Sequence, residues 1–193
     1  GGQLVVMPHE QASLEQIKTV IQQYRVSTLW LTAGLFHLMV EHGLGGLDSL
    51  QQVLAGGDVL SATHIKKAIA ALPECDFING YGPTENTTFT TTYRLNDLVE
   101  IGASVSIGKP ISNTEVYILD EAQKLCPIGV KGELYAGGAG LASAYLNNTE
   151  LTAEKFIAHP FKAGEKLYRT GDLAAWQANG NIEFLGRKDF QLK

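Results

Sequence analysis

The sequence is short of cysteine, proline and positive charge, and each shortage excludes something. There are 2 cysteines in 193 residues, Cys75 and Cys126, far apart and in no metal-ligand spacing. They predict free thiols in a reducing compartment, not a disulfide scaffold. Only 6 prolines and 18% charged residues, beside 45% hydrophobic ones, exclude a disordered or low-complexity chain. Lysine and arginine number 15 against 20 acidic residues, for a net charge of −5. That balance argues against a nucleic-acid partner, which selects a basic patch. No apolar run reaches the roughly 18 residues of a membrane helix, and no signal peptide opens the chain. We therefore expect a cytoplasmic protein with no membrane partner. The 5 histidines show no zinc spacing, and no GxSxG nucleophile elbow occurs. In an unsecreted protein the acceptor patterns at Asn86 and Asn147 carry no meaning. The chain starts mid-pattern with Gly1-Gly2-Gln3-Leu4, without Met, and reads as a piece of something longer.

Glycine is abundant, at 21 residues, above the roughly 7% of an average protein. Many glycines mean many turns, or backbone lying close to ligands. The first half alternates strand and helix patterns. Leu4–Met7 reads as a short buried strand. Ser13 and Gln16 form a capping box for a helix carrying Leu14, Ile17, Ile21 and Tyr24. Strands follow at Val26–Leu31, Leu50–Leu54 and Asp76–Asn79, with helices at Leu35–Glu41 and after Ser61. This alternation predicts a layered, largely parallel α/β sheet over residues 1–104. From about Val105 the helical period mostly disappears. Short strands are expected at Glu115–Leu119, Gly132–Ala136, Leu167–Arg169, Leu173–Trp176 and Ile182–Leu185, with a helix at Thr152–Ala158. Asn179-Gly180 is a hairpin signal. Residues 105–185 thus read as a small β-rich subdomain, a distorted barrel.

The apparent phosphate loop Gly102–Lys109 fails, because five residues separate its glycines and Pro110 stands where a hydroxyl would hold magnesium. Gly138-Ala139-Gly140 lacks the third glycine of a dinucleotide loop. Three other segments stand out. Asn79-Gly80-Tyr81-Gly82-Pro83-Thr84-Glu85 follows a strand, where open α/β sheets bind ligands. A flat ring could stack on Tyr81, while Thr84 and Glu85 suit a phosphate and its magnesium. A tight turn explains the same residues. Tyr168-Arg169-Thr170-Gly171-Asp172 could aim a carboxylate at ribose hydroxyls, or could be a strand-end turn. The charged run from Gly186 to Lys193 could be a solvated tail.

Together, in this order, NGYGPTE, GELYAGGAGLASAYLNNTELTAEKF, LYRTGDLA and GRKDFQLK resemble the core motifs of the adenylate-forming superfamily, specifically adenylation domains of nonribosomal peptide synthetases. IGKPISNTEVYILD fits their connecting stretch, so the resemblance covers essentially the whole chain. It implies part of the large N-terminal domain of such an enzyme. Residues 186–193 would start the hinge to a C-terminal subdomain missing here. The implied reaction joins an amino-acid carboxylate to the α-phosphate of ATP, releasing pyrophosphate. A phosphopantetheine thiol on a peptidyl carrier domain then takes the aminoacyl group, beside a condensation domain.

Carried over by position, Tyr81 would stack on adenine, Asn79 would face its amino edge and Thr84 would touch the α-phosphate. Glu85 would hold Mg2+, and Asp172 and Arg187 would reach the ribose. Gly57, Asp58, Gly82 and Phe184 join this nucleotide group, and Asp189 would be the hinge. The amino-acid pocket would be lined by Trp30, Leu54, Gly56, Gly80, Thr88 and Phe89. None of these is charged, so the lining favours a valine-like aliphatic side chain, with isoleucine leakage expected. Core packing is the other reading of Trp30 and Leu54. Ser143 stands where the family has arginine. The phosphate loop, the ammonium-binding aspartate and the catalytic lysine lie outside this chain, which by itself is expected to be inactive. Alternatives are an acyl-CoA or aryl-acid ligase of the same superfamily, or a non-catalytic scaffold that kept the fold.

Overall fold

The computed structural model describes residues 1–7, 12–95 and 104–188. The chain divides into two compact units, Gly1–Asn79 with Arg94–Val105, and Gly80–Tyr93 with Ser106–Lys193.

In the first unit, helix α1 (Leu14–Tyr24) starts at the expected capping box. The Ser13 Oγ accepts from the Gln16 amide at 3.2 Å, and Gln16 Oε1 accepts from the Ser13 amide at 2.8 Å. Both orphan donors are thereby satisfied. The helix ends where Arg25 adopts a left-handed φ of 50°. Strand β1 (Thr28–Thr32) leads directly into α2 (Ala33–His42), whose N-cap is the Thr32 hydroxyl. Strand β2 (Gln52–Gly56) pairs parallel with β1, and α3 (Ala62–Ala71) begins at the Ser61 cap. The helices bury Ile21, Phe36, Met39, Val40, Ile65 and Ala68. Phe36 packs on Phe77 with ring centroids 6.2 Å apart. Strand β3 (Asp76–Tyr81) follows Pro73. Leu4–Met7 is no strand: the segment lies outside the sheets, with Leu4 86% and Val6 76% exposed. An apolar run alone does not specify a strand, which also needs a pairing partner.

Cys75, just before β3, is buried. Burial, then the neighbouring Asp76 carboxylate, push its thiol up to about 11. At pH 8 about one thousandth of it is thiolate, the reactive form. Iodoacetamide should therefore label Cys75 far more slowly at pH 8 than it labels a free thiol peptide. Peptide mapping checks this, and equal rates would show that the site opens readily.

The first sheet runs in the order β1-β2-β3-β4-β5, where β4 is Thr91–Arg94 and β5 is Lys109–Pro110. The pairing of β4 with β5 is antiparallel. Neither strand is marked by a pattern in the sequence, because both are short and carry no period to detect.

The second unit contains an antiparallel sheet in the order β10-β9-β7-β6, with β8 also on β9. Its strands are β6 (Thr114–Leu119), β7 (Gly132–Gly138), β8 (Phe156–Ala158), β9 (Lys166–Trp176) and β10 (Ile182–Arg187). The expected helix is shifted. The Asn148 side chain caps α4 (Thr149–Lys155), and Phe156 turns the chain into β8. The two strands expected on either side of Thr170-Gly171-Asp172 are one. In β9, Arg169 pairs with Tyr135 but Leu173 pairs with Glu133, so residues 170–172 bulge out of the ladder. Gly171, at φ 75°, supplies the conformation that the bulge needs. The Asn179-Gly180 hairpin between β9 and β10 is as expected, with Gly180 at φ 79°.

Candidate nucleotide site

The bulge in β9 positions the central carboxylate. Asp172 is 2% exposed. One of its oxygens accepts from the Tyr81 hydroxyl at 2.5 Å and the other from Arg187 Nη1 at 3.1 Å. Arg187, directly across the β9–β10 ladder, also donates to the Thr170 carbonyl at 3.1 Å. Thr170 completes the bulge: its hydroxyl donates to the Leu134 carbonyl at 2.6 Å and accepts from the Asp172 amide at 3.0 Å. Burial, reinforced by the charge of Asp172, pushes the Tyr81 phenol well above its ordinary range, so it stays neutral and donates. The Tyr81 ring belongs to the core cluster of Ile107, Val116, Ile118, Leu134 and Ile182, with Phe184 at 6.2 Å.

The chain after Tyr81 folds tightly back on itself. The Thr90 amide donates to the Tyr81 carbonyl at 2.8 Å. Between them lies a single 3-10 turn, Thr84–Asn86, followed by Thr87 and Thr88 at φ 52° and 64°. Positive φ at two β-branched residues in succession is costly and clusters at functional sites. Thr84 is exposed and Glu85 half-buried. Glu85 Oε1 accepts from the Tyr145 hydroxyl at 2.5 Å, and Tyr145 lies 3.2 Å from the Tyr168 hydroxyl. Burial comes first among the causes that raise both phenols, and each is raised further by Glu85. Sequence reasoning missed Tyr145 and Tyr168. Both lie inside the family motifs, but no spacing links them to Glu85.

The residues expected to line the amino-acid pocket are described unit by unit. In the first, Trp30 sits opposite Leu54 in the β1–β2 register, and Thr32 opposite Gly56. Trp30 is 47% exposed. Asn79 is buried on β3, while Gly57 and Asp58 form an exposed turn in which Asp58 accepts from the Val59 amide at 2.7 Å. In the second, a Cβ on Gly80 would come within 2.4 Å of the Phe89 ring. Thr88 is exposed and Phe89 half-buried. Asp189 lies outside the described residues.

Among the described residues, one cluster has metal-like ligands, Glu115, His159 and Glu165. His159 Nδ1 accepts from the Phe161 amide at 3.1 Å, so the neutral ring carries its proton on Nε2, the nitrogen 3.7 Å from Glu115. A metal needs that nitrogen bare. The Lys162 ammonium already bonds Glu115 and lies 3.8 Å from Glu165. The cluster is compensated by its own lysine.

A parallel-paired sheet with helices and an antiparallel sheet is the fold of nonribosomal peptide synthetase adenylation domains. The structure of an NRPS protein containing adenylation and PCP domains superposes with a TM-score of 0.90 at 36% identity, over 97% of this chain and 38% of that one. The N-terminal subdomain of a Klebsiella oxytoca protein, solved with 3-hydroxybenzoyl-AMSN, gives 0.85 at 31% identity, over 93% and 46%. A family model described as AMP-binding enzyme matches residues 1–146. A linear gramicidin synthase from Brevibacillus parabrevis is 53% identical over 100% of this chain, and a surfactin synthase from Bacillus subtilis is 44% identical over 100%. The chain spans only 2% and 5% of those two proteins. It belongs to the AMP-binding enzyme family, in the branch of nonribosomal peptide synthetase adenylation domains. Among the described residues no helix is long and apolar enough to cross a membrane.

Proposed function

We propose that this chain is the part of an amino-acid-activating domain that holds the nucleotide and one wall of the amino-acid pocket. The observation that carries the reading is the 53% identity over the full chain to a peptide synthetase. The buried Asp172–Arg187–Tyr81 arrangement supports it, as a rigid carboxylate beside an aromatic ring. The reaction forms a bond between an amino-acid carboxylate oxygen and the α-phosphorus of ATP and breaks the bond to pyrophosphate. Asp172 and Arg187 would orient the ribose, Tyr81 and Phe184 the base, with Asn79 at its edge, and Thr84 the α-phosphate. Gly57, Asp58 and Gly82 would line the same nucleotide.

Mg2+ fits Glu85, a half-buried carboxylate of hard oxygen donors. Bound there, it would offset negative charge on the phosphates. Holding the substrate in line and supplying donors where charge gathers is what these side chains contribute. Transfer to a carrier-domain phosphopantetheine thiol would follow, in the cytoplasm, beside carrier and condensation domains. Asp189 would be the hinge for that second step, and the chain alone would not turn over.

Trp30, Leu54, Gly56, Gly80, Thr88 and Phe89 would accept a valine-like side chain. Isoleucine adds one methylene, worth only about 1–3 kcal/mol of discrimination. Amino-acid-dependent pyrophosphate exchange by the complete protein carrying this chain tests this. Valine should give the strongest exchange and isoleucine a weaker one. Exchange with a charged or aromatic amino acid instead would sink the pocket assignment and keep the reaction. The likeness to a structure holding an aryl adenylate analogue favours an aryl acid as the second reading. In that case exchange would depend on an aryl acid and on no amino acid.

A further inference from the structure

We infer that Tyr145, backed by Tyr168, is a positioning residue that holds the Glu85 carboxylate in its working orientation. This rests on the reading of Glu85 as the Mg2+-holding group. Glu85 sits on a 3-10 turn of three residues, and so short a turn holds a flexible side chain poorly by itself. The loop after β7 supplies what the turn lacks. The Ala142 amide donates to the Glu85 carbonyl at 2.8 Å, and the Thr87 hydroxyl donates to the Gly140 carbonyl at 2.7 Å. These fix the backbone of the turn. The Tyr145 hydroxyl, donating to Oε1 at 2.5 Å, fixes the carboxylate.

Tyr145 is itself fixed at both ends. Its amide donates to Thr152 Oγ1 at 3.0 Å, and that hydroxyl donates to the Asn148 carbonyl at 2.7 Å, at the start of α4. Its ring meets Phe156 edge-on, at 5.4 Å and 73°. Tyr168, on β9, packs on the same Phe156 at 5.2 Å and reaches the Tyr145 hydroxyl. A donor held so firmly selects one carboxylate rotamer.

The test is pyrophosphate exchange by the complete protein, titrated with free Mg2+ at constant Mg-ATP. Tyr145→Phe keeps the ring and removes the donor. It should raise the half-saturating Mg2+ about 3–10-fold while leaving the KM for the amino acid within about twofold. Tyr168→Phe should shift it in the same direction by less. Glu85→Gln should shift it more than tenfold, or abolish exchange. A large Glu85→Gln effect with unchanged Mg2+ dependence in Tyr145→Phe overturns the positioning role and leaves the Glu85 reading intact. So does a Tyr145→Phe protein that melts earlier and turns over more slowly at the same half-saturating Mg2+. An unchanged Glu85→Gln protein overturns both. Should Tyr145→Phe not accumulate as folded protein, Tyr168→Phe carries the test, and an unchanged Mg2+ dependence there overturns the proposal.

Discussion

Replacing Asp172 by alanine should destabilise the protein by about 3–5 kcal/mol, the usual cost of removing one partner from a buried ion pair. The Asp172 side chain is 3% exposed and the Arg187 side chain 18%. Without the Asp172 carboxylate the guanidinium loses the acceptor at 3.1 Å, and the Tyr81 hydroxyl loses the acceptor at 2.5 Å. Water cannot easily replace either inside the core cluster around Tyr81. Asp172→Asn keeps the shape and one acceptor oxygen, but it removes the charge and turns the other acceptor into an NH2 donor; its cost should still be smaller than that of alanine, on the order of 1.5–3 kcal/mol. Urea unfolding at neutral pH measures both. If alanine costs less than about 1 kcal/mol, within the range of a surface ion pair, the site is wetter than its packing indicates. For the complete enzyme, both variants should lower pyrophosphate exchange, and asparagine should do so with little loss of fold. That separates the ribose-binding role proposed for this carboxylate from its part in stability.

Gly82→Ala should be strongly damaging at the candidate site. The added Cβ would fall 2.6 Å from both the Thr88 carbonyl oxygen and the Thr90 nitrogen, and 3.0 Å from the Phe89 Cα. All three are backbone atoms, so no side chain can swing aside. The tight return from Tyr81 to Thr90 must open, and Thr84 and Glu85 move with it. Overpacking of this kind costs about 1–3 kcal/mol or more. A displacement near 1 Å at a reacting group can cost about a hundredfold in rate. Exchange should fall by about that factor, with a lower unfolding midpoint. Gly34→Ala is the control: nothing lies within 4 Å of its added Cβ and its φ is not positive. In the first turn of α2 this substitution should be neutral or stabilising by about 0.5–1 kcal/mol. Equal losses in the two variants would mean that close backbone approach at Gly82 is not the cause.

Local chemistry was legible in the sequence wherever a signal sits within a few residues. The Ser13–Gln16 capping box, the Ser61 cap and the Asn179-Gly180 hairpin each depend on neighbours along the chain. So does the alternation that implies a parallel sheet, realised in the β1–β2 pairing. Motif order identified the family for a related reason: residues around a nucleotide are held by short segments, each of which can be read without knowing the fold.

What the sequence could not decide are pairings across long separations. Leu4–Met7 has a strand's composition, and among the described residues it is not in a sheet. Thr170-Gly171-Asp172 is spelled like a turn. Only pairing with β7 and β10 makes it a bulge within one strand, aiming Asp172 at Tyr81, 91 positions away in sequence. Tyr145 meets Glu85 across 60 positions. From sequence alone, then, come the caps, turns, family and list of chemical groups, because those depend on local backbone preference and side-chain type. Tertiary structure alone decided which hydroxyl faces which carboxylate, because that is set by strand register and packing between segments that no local preference links.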